Sequence, residues 1–315
     1  MEYVRDLLWK PGITVKELVE GFGTTGFQST ELYKAAQIMI RMKEERAKII
    51  LTFTSNMVTS GLRGLFAQLI RVGMADIVIT TVGAVEEDIM KAMGEKFYIH
   101  RFQADDVELH ERGMNRVGNL LISNDSYARF EAFANEILDE ICREKPQITV
   151  SDLLYEIGIR LKDENSFLYQ AARRKVPVFC PAITDGAFGF HLFMTRERHP
   201  EFQVDVVGDF SKMIFSLSQE DRKGVIALGG GVSKHHAILA TLLSGGADYA
   251  VYITTAHHSS GSMSGATTSE AKSWGKLKDD SDSVTVIGDA TILFPLAAMY
   301  ALEVLREEGL LEELS

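Results

Sequence analysis

The tetrapeptide Ser273-Trp274-Gly275-Lys276 sets a lysine two positions from an indole. A lysine beside an aromatic ring can be partly desolvated, which lowers its pKa. A neutral amine attacks a carbonyl or imine carbon and forms a Schiff base. The same four residues also fit an ordinary surface lysine. His235 and His236 follow Lys234 at a helix start and offer either a proton carrier or two structural imidazoles. His257 and His258 lie in a loop and invite a metal reading. No third ligand stands at a matching spacing, so no metal site is expected.

Gly229-Gly230-Gly231 follows a strand candidate and precedes a helix opening near Ser233. Small residues there let backbone N–H groups approach a phosphate at a helix N-terminus. The run is neither GxGxxG nor a P-loop, and a tight turn is the other reading. Thr54–Gly61 (TSNMVTSG) also follows a strand candidate. Its hydroxyls either bind phosphate or ribose, or cap the next helix. Glu86, Glu87 and Asp88 suit the first turn of a helix, where acids satisfy the macrodipole. Coming after Thr80-Thr81-Val82-Gly83, the glutamates could equally hold a ribose or an ammonium group. Asp185 (AITDG) and Asp289 (IGDA) each end a strand candidate. They read as a turn and a helix cap, or as ribose ligands of a dinucleotide.

These residues need elements to position them. Ala47–Thr54, Asp76–Thr80, Val176–Phe179, Gly224–Leu228, Tyr249–Thr254 and Ser283–Ile287 are continuous apolar runs. Helical periodicities lie between most of them. Such runs predict a mostly parallel sheet with helices on both faces, a doubly wound, Rossmann-like α/β fold. The Gly- and hydroxyl-rich loops are Gly21–Thr30, Thr54–Gly61, Thr184–Gly189, Gly229–Ser233 and Thr254–Ser269. All but the first follow a strand candidate, which is where open α/β sheets bind ligands. With no low-complexity linker and no internal repeat, a single catalytic domain over 1–315 is expected, opening on a helical segment over 1–45.

Composition narrows the function classes. The 315 residues carry a net charge of −11, which argues against nucleic acid as a partner and is compatible with a cationic one. The two cysteines, Cys142 and Cys180, form no CxxC pair, so a reducing compartment is expected. The opening MEYVRDLLWK has no signal-peptide apolar core, and no run approaches a membrane span. A cytoplasmic protein without membrane contact is the expectation.

Taken together, FGTTGFQST (22–30), TSNMVTSG (54–61), ADIVITTVGAVEEDI (75–89), NRVGNLLISNDSY (115–127), VPVFCPAITDGAFG (176–189), LGGGVSKHHA (228–237), GADYAVYITTA (246–256), EAKSWGK (270–276) and GDATILFPL (288–296) resemble the deoxyhypusine synthase family, in family order over nearly the whole chain. The resemblance implies transfer of the 4-aminobutyl group of spermidine to one lysine of a translation initiation factor, with NAD as cofactor. It implies that Lys276 carries the imine and that His235 is a proton carrier. It places NAD contacts on Ser55, Asn56, Thr59, Thr81, Val82, Gly83, Glu87, Asp185, Gly230, Thr255, Ala256, Asp289 and Ala290. It places the amine on Glu86, Glu87, His235, Gly261, Ser262, Glu270, Trp274 and Lys276. It further implies a homotetramer with sites at dimer interfaces.

Three positions depart from the family pattern. Phe190 stands where the family has an Asp five residues after its TDG aspartate. Ser260-Gly261-Ser262-Met263 replaces a D-G-S-D run, so Ser260 and Met263 stand for an NAD-site and a spermidine-site acid. An ammonium group that loses a partly buried carboxylate typically costs about 3–5 kcal/mol. Either other acids such as Glu86, Glu87 and Glu270 re-create the cation site, or shifted loops still admit spermidine, or the amine differs. Agmatine, whose guanidinium could stack on Phe190, and putrescine as in homospermidine synthesis are the alternatives. A regulatory NAD-binding paralogue is a further one, although such paralogues lose the lysine that is present here as Lys276. The stretch ahead of Phe22 is short beside the arm of eukaryotic members, which suggests a prokaryotic-type chain with a more open entrance.

Overall fold

The computed structural model describes residues 3–312. Of the anticipated span 1–315, residues 1–2 and 313–315 lie outside the described residues. The chain divides into two interleaved units. The first holds the residues up to Thr54, then Leu69–Ile79, then Phe210 onward; the second holds Ser55–Gln68 and Thr80–Asp209.

Within the first unit, strands Leu277–Ile287, Ala247–Thr254, Lys223–Leu228, Lys48–Thr52 and Ile77–Ile79 are neighbours in that order, every pair parallel. All six residues of Lys223–Leu228 are buried, as a strand covered on both faces requires. The ladder shows which helix covers which face. Gly224 pairs with Tyr249, and a Cβ on Gly224 would strike Met42 of helix Gln28–Glu44. Tyr252 is three residues beyond Tyr249 and so points to the opposite face. There it meets Lys234 of helix Gly231–Leu243. The predicted parallel α/β architecture with helices on both faces is therefore present. Helix Ala290–Glu307 packs beside Gln28–Glu44, where Tyr33 and Tyr300 meet edge to face and Gln37 donates to Tyr300 Oη at 3.0 Å.

The second unit is mainly helical. Its longer helices are Val82–Ala92, Asn124–Glu144, Val150–Arg160 and Ala187–Arg198. Ser123, Thr149 and Ser166 each cap a helix with a side-chain oxygen. An antiparallel sheet orders Tyr98–Ile99, Leu120–Ser123 and Met114–Val117, and a parallel pair joins Gln147–Thr149 to Gln203–Asp205. Asp88, fully buried, anchors the unit. It pairs with the Arg63 guanidinium, and it accepts from Ser166 Oγ at 2.6 Å and from the Leu168 N–H at 3.0 Å. Burial pushes its carboxyl above the usual range, and Arg63 opposes that shift.

Candidate active site

Lys276 follows helix Thr268–Ser273 and is 7% exposed. Its main chain is pinned from three sides. The N–H donates to Ala271 O at 3.1 Å, and the carbonyl accepts from Thr241 Oγ1 at 2.9 Å and from Ala247 N–H at 3.0 Å. Nζ lies 5.1 Å from the Trp274 ring centroid, within cation–π range. Trp274 itself is 64% exposed. The lysine is thus shielded and its backbone fixed, while the indole beside it opens to solvent.

Lys234, 1% exposed, is a further buried lysine that sequence reasoning did not single out. Its Nζ donates to Ala266 O at 2.6 Å and lies 4.3 Å from the Tyr252 ring centroid. Burial pushes it down to about 8; Glu270 opposes the shift and the charge of Lys276 adds to it. A lysine next to GGGVS reads as solvated surface, so only the fold reveals it.

The glycine run has a packing reason. A Cβ on Gly230 would fall 2.2–2.4 Å from Ser264, backbone included, so nothing larger fits. Gly231 adopts φ +66° and donates its N–H to Ser264 Oγ at 3.0 Å. The start of helix Gly231–Leu243 and the loop carrying Gly261, Ser262 and Met263 are therefore fastened together. The same helix holds Lys276 through Thr241 and the loop through Lys234. His235 is exposed on it. His236 packs its ring 5.5 Å from Phe210 and is pushed down to about 4, chiefly by burial.

At neighbouring strand ends of this unit, Gly288 N–H donates to Thr254 O at 2.9 Å. That bond holds the start of the Thr255-Ala256 loop beside the Asp289 turn. Asp289 caps helix Ala290–Glu307, accepting from the Thr291 N–H and hydroxyl, each at 2.8 Å. Thr255 and Asp289 are exposed, and Ala290 is buried. His257 and His258 stack at 4.3 Å.

In the second unit, Ser55 opens the short helix Ser55–Thr59 and donates its N–H to Thr81 Oγ1 at 3.1 Å. A Cβ on Gly83 would fall 2.9 Å from Ser55 Cβ, so these two loops touch. Asn56 is exposed beside them. Helix Val82–Ala92 starts earlier than the sequence suggested, which moves Glu86 and Glu87 out of its first turn. Among the described residues no side chain caps that helix start.

Thr59 Oγ1 lies 3.0 Å from Ser55 O and 2.5 Å from Glu87 Oε2. One hydroxyl proton cannot serve both acceptors. When Glu87 is ionised Thr59 donates to it, and when Glu87 is protonated it donates to Thr59, which then turns to the Ser55 carbonyl. Burial pushes Glu87 up to about 7, against the opposing pulls of Thr59 and Lys91. Lys91 Nζ donates to the carbonyls of Val58 (2.6 Å) and Thr59 (3.1 Å), tying the same turn. Glu86 instead accepts from the Phe188 N–H at 2.8 Å and so caps helix Ala187–Arg198; burial raises its carboxyl too. Asp185 is exposed, in a turn closed by its N–H on Ala182 O at 3.1 Å. Phe190 is 55% exposed, edge-on to His191 at 5.8 Å.

The fold and these residues define an α/β protein on a parallel sheet, with a shielded lysine beside glycine- and hydroxyl-rich loops. The family model for deoxyhypusine synthase matches residues 17–301. The chain is 43% identical to the "Probable deoxyhypusine synthase" of Aeropyrum pernix, covering 95% of this chain and 97% of that one. It is 37% identical to the "Deoxyhypusine synthase" of Kluyveromyces lactis, covering 91% and 88%. A crystal structure from Entamoeba histolytica with the same family description superposes at TM-score 0.70, 30% identity, over 96% and 97% of the two chains. The chain belongs to the deoxyhypusine synthase family, a family of transferases.

Proposed function

We propose that this protein transfers the 4-aminobutyl group of spermidine, through a covalent imine on Lys276, to a lysine of a translation initiation factor, with NAD as cofactor. The observation that carries the reading is Lys276 itself, 7% exposed and pinned by Ala271, Thr241 and Ala247 beside an exposed Trp274.

The residues present fit a dinucleotide. The helix at Val82 begins without a side-chain cap. Such starts attract phosphate. The residues that would hold it are Ser55, Asn56, Thr59, Thr81, Val82, Gly83, Glu87, Asp185, Gly230, Thr255, Ala256, Asp289 and Ala290. When bound, NAD supplies the hydride acceptor that makes an amine carbon electrophilic and later returns that hydride, so there is no net oxidation.

The chain's own groups do the rest. The Lys276 amine adds to the electrophilic carbon, and 1,3-diaminopropane leaves with its electron pair and a proton. The four-carbon fragment stays on Nζ as an imine until the acceptor lysine displaces it. The fixed backbone of Lys276 limits where Nζ can reach through both exchanges, which is part of the entropic share of the catalysis. His235, exposed on its helix, is placed to carry protons to and from solvent. Glu86, Glu87, Gly261, Ser262, Glu270 and Trp274 receive the cationic amine. A buried carboxyl such as Glu87 gives up its proton when an ammonium group arrives. In this reading the chain acts as one catalytic domain, assembles as a homotetramer and works in the cytoplasm. No described helix is long and apolar enough to cross a membrane.

Phe190 supports a second reading, in which the donor is a flatter cation. Its exposed ring offers a stacking face where the family pattern has a carboxylate. One assay separates the two. Purified protein with NAD is given spermidine, putrescine or agmatine, and the released amine is identified, with the acceptor factor or putrescine added in turn. Release of 1,3-diaminopropane from spermidine and labelling of the acceptor lysine are expected. Turnover of agmatine alone would replace the donor, transfer to putrescine alone would replace the acceptor, and no turnover at all would favour a regulatory paralogue.

A further inference from the structure

Cys142 lies near the end of helix Asn124–Glu144 and is buried; His199 directly follows helix Ala187–Arg198, and Glu201 comes two residues later. The second unit brings the three together. Each offers one ligand atom, and the three atoms lie within 4.8 Å of one another. The imidazole lies between two carboxylates. Its Nε2 lies 3.3 Å from Asp139 Oδ1, and its Nδ1 faces Glu201 Oε1 at 3.9 Å. Asp139 is one turn before Cys142 and accepts from Arg198 Nη2 at 2.9 Å. A carboxylate that takes one ring N–H fixes the tautomer and leaves the other nitrogen's lone pair free, which is how metal-binding histidines are commonly supported.

We propose that Cys142, His199 and Glu201 form a zinc site, with Nδ1 of His199 as ligand, Asp139 as its hydrogen-bonding support and water as the fourth ligand. The donor set of one thiolate, one imidazole and one carboxylate suits zinc. Tetrahedral zinc spaces its ligand atoms roughly 3.5 Å apart, so a modest rotation of the exposed Glu201 side chain closes the site. Binding replaces the Cys142 S–H bond with a sulfur–metal bond and releases the proton to solvent, with no change of oxidation state. The ion would staple the end of helix Asn124–Glu144 to the segment after Ala187–Arg198. Sequence inspection missed the site because its ligands come from separate elements with no motif spacing. Zinc binding here is independent of the transfer reaction.

The test uses the untagged full-length chain, stripped with chelator and titrated with Zn²⁺ against a competing indicator, then with Co²⁺ as a spectroscopic probe. One equivalent per chain is expected, with a thiolate-to-cobalt charge-transfer band and a rise of several degrees in Tm on zinc loading. Cys142→Ser abolishes the band. Glu201→Gln, at an exposed position that tolerates substitution, weakens binding, and Asp139→Asn weakens it roughly 10–100-fold. Lys276→Ala binds metal like the parent, whatever its effect on transfer. Substoichiometric uptake, a band that survives Cys142→Ser, or zinc binding indifferent to Glu201→Gln and Asp139→Asn would overturn the site.

Discussion

Replacing Glu87 with Gln isolates the protonation state of the candidate amine site. In the folded chain the carboxyl titrates at about 7 against an ordinary 4.5, chiefly because it is buried. Between those values the folded state keeps a proton that the unfolded chain has released. Linkage then makes stability fall as pH rises through this window. The contribution is fully present below 4.5 and gone above about 7. At ~1.4 kcal/mol per pH unit, the shift corresponds to a loss of about 3 kcal/mol. The Glu87→Gln variant keeps the geometry, since its new side-chain amide donates to Thr59 Oγ1 while Thr59 donates to the Ser55 carbonyl. Urea unfolding at pH 5 and pH 8, at one protomer concentration, gives the stability gap for each protein. Other carboxyls titrate alike in both, so the difference between the gaps reports Glu87 alone. The gap should shrink by about 2.5 kcal/mol in Glu87→Gln, and the variant should be the more stable protein at pH 8. Equal gaps would refute a neutral Glu87 and the hydrogen-bond assignment built on it.

Further outcomes follow from the same geometry. Gly230→Ala places a methyl 2.2–2.4 Å from Ser264; soluble yield and Tm should fall, and Ser264→Gly should not restore them, because the clash includes the Ser264 Cα. Arg63→Met leaves Asp88 buried without its cation, and chemical denaturation should show a loss of about 3–5 kcal/mol. Asp289→Asn keeps the helix cap and should leave Tm within a degree or two, while NAD affinity measured by calorimetry should drop if the carboxylate also holds a ribose.

The strands were legible because a parallel sheet covered on both faces needs unbroken apolar runs. Ile49, Val78, Val225, Val251 and Val284 sit in segments that could do little else. The hairpin Met114–Val117 with Leu120–Ser123 was not read as strands, since Asn115 and Arg116 interrupt its apolar pattern and only the Gly118-Asn119 turn hints at it. At the site, Lys276 stood out through its indole neighbour. Lys234 did not, because nothing in GGGVSKHH reveals that Ala266 and Tyr252 will enclose its ammonium group. The different fates of Glu86 and Glu87 were equally hidden. One caps helix Ala187–Arg198 and the other faces Thr59, a division set by residues far away in the chain.

The transfer turns on a covalent bond at one nitrogen. Incubation with NAD and spermidine, followed by borohydride and peptide mass mapping, reads it directly. A four-carbon amine adduct on Lys276, dependent on NAD and absent from Lys276→Ala, is the predicted result. An adduct on Lys234 instead, or none on a protein that still turns spermidine over, would contradict the mechanism.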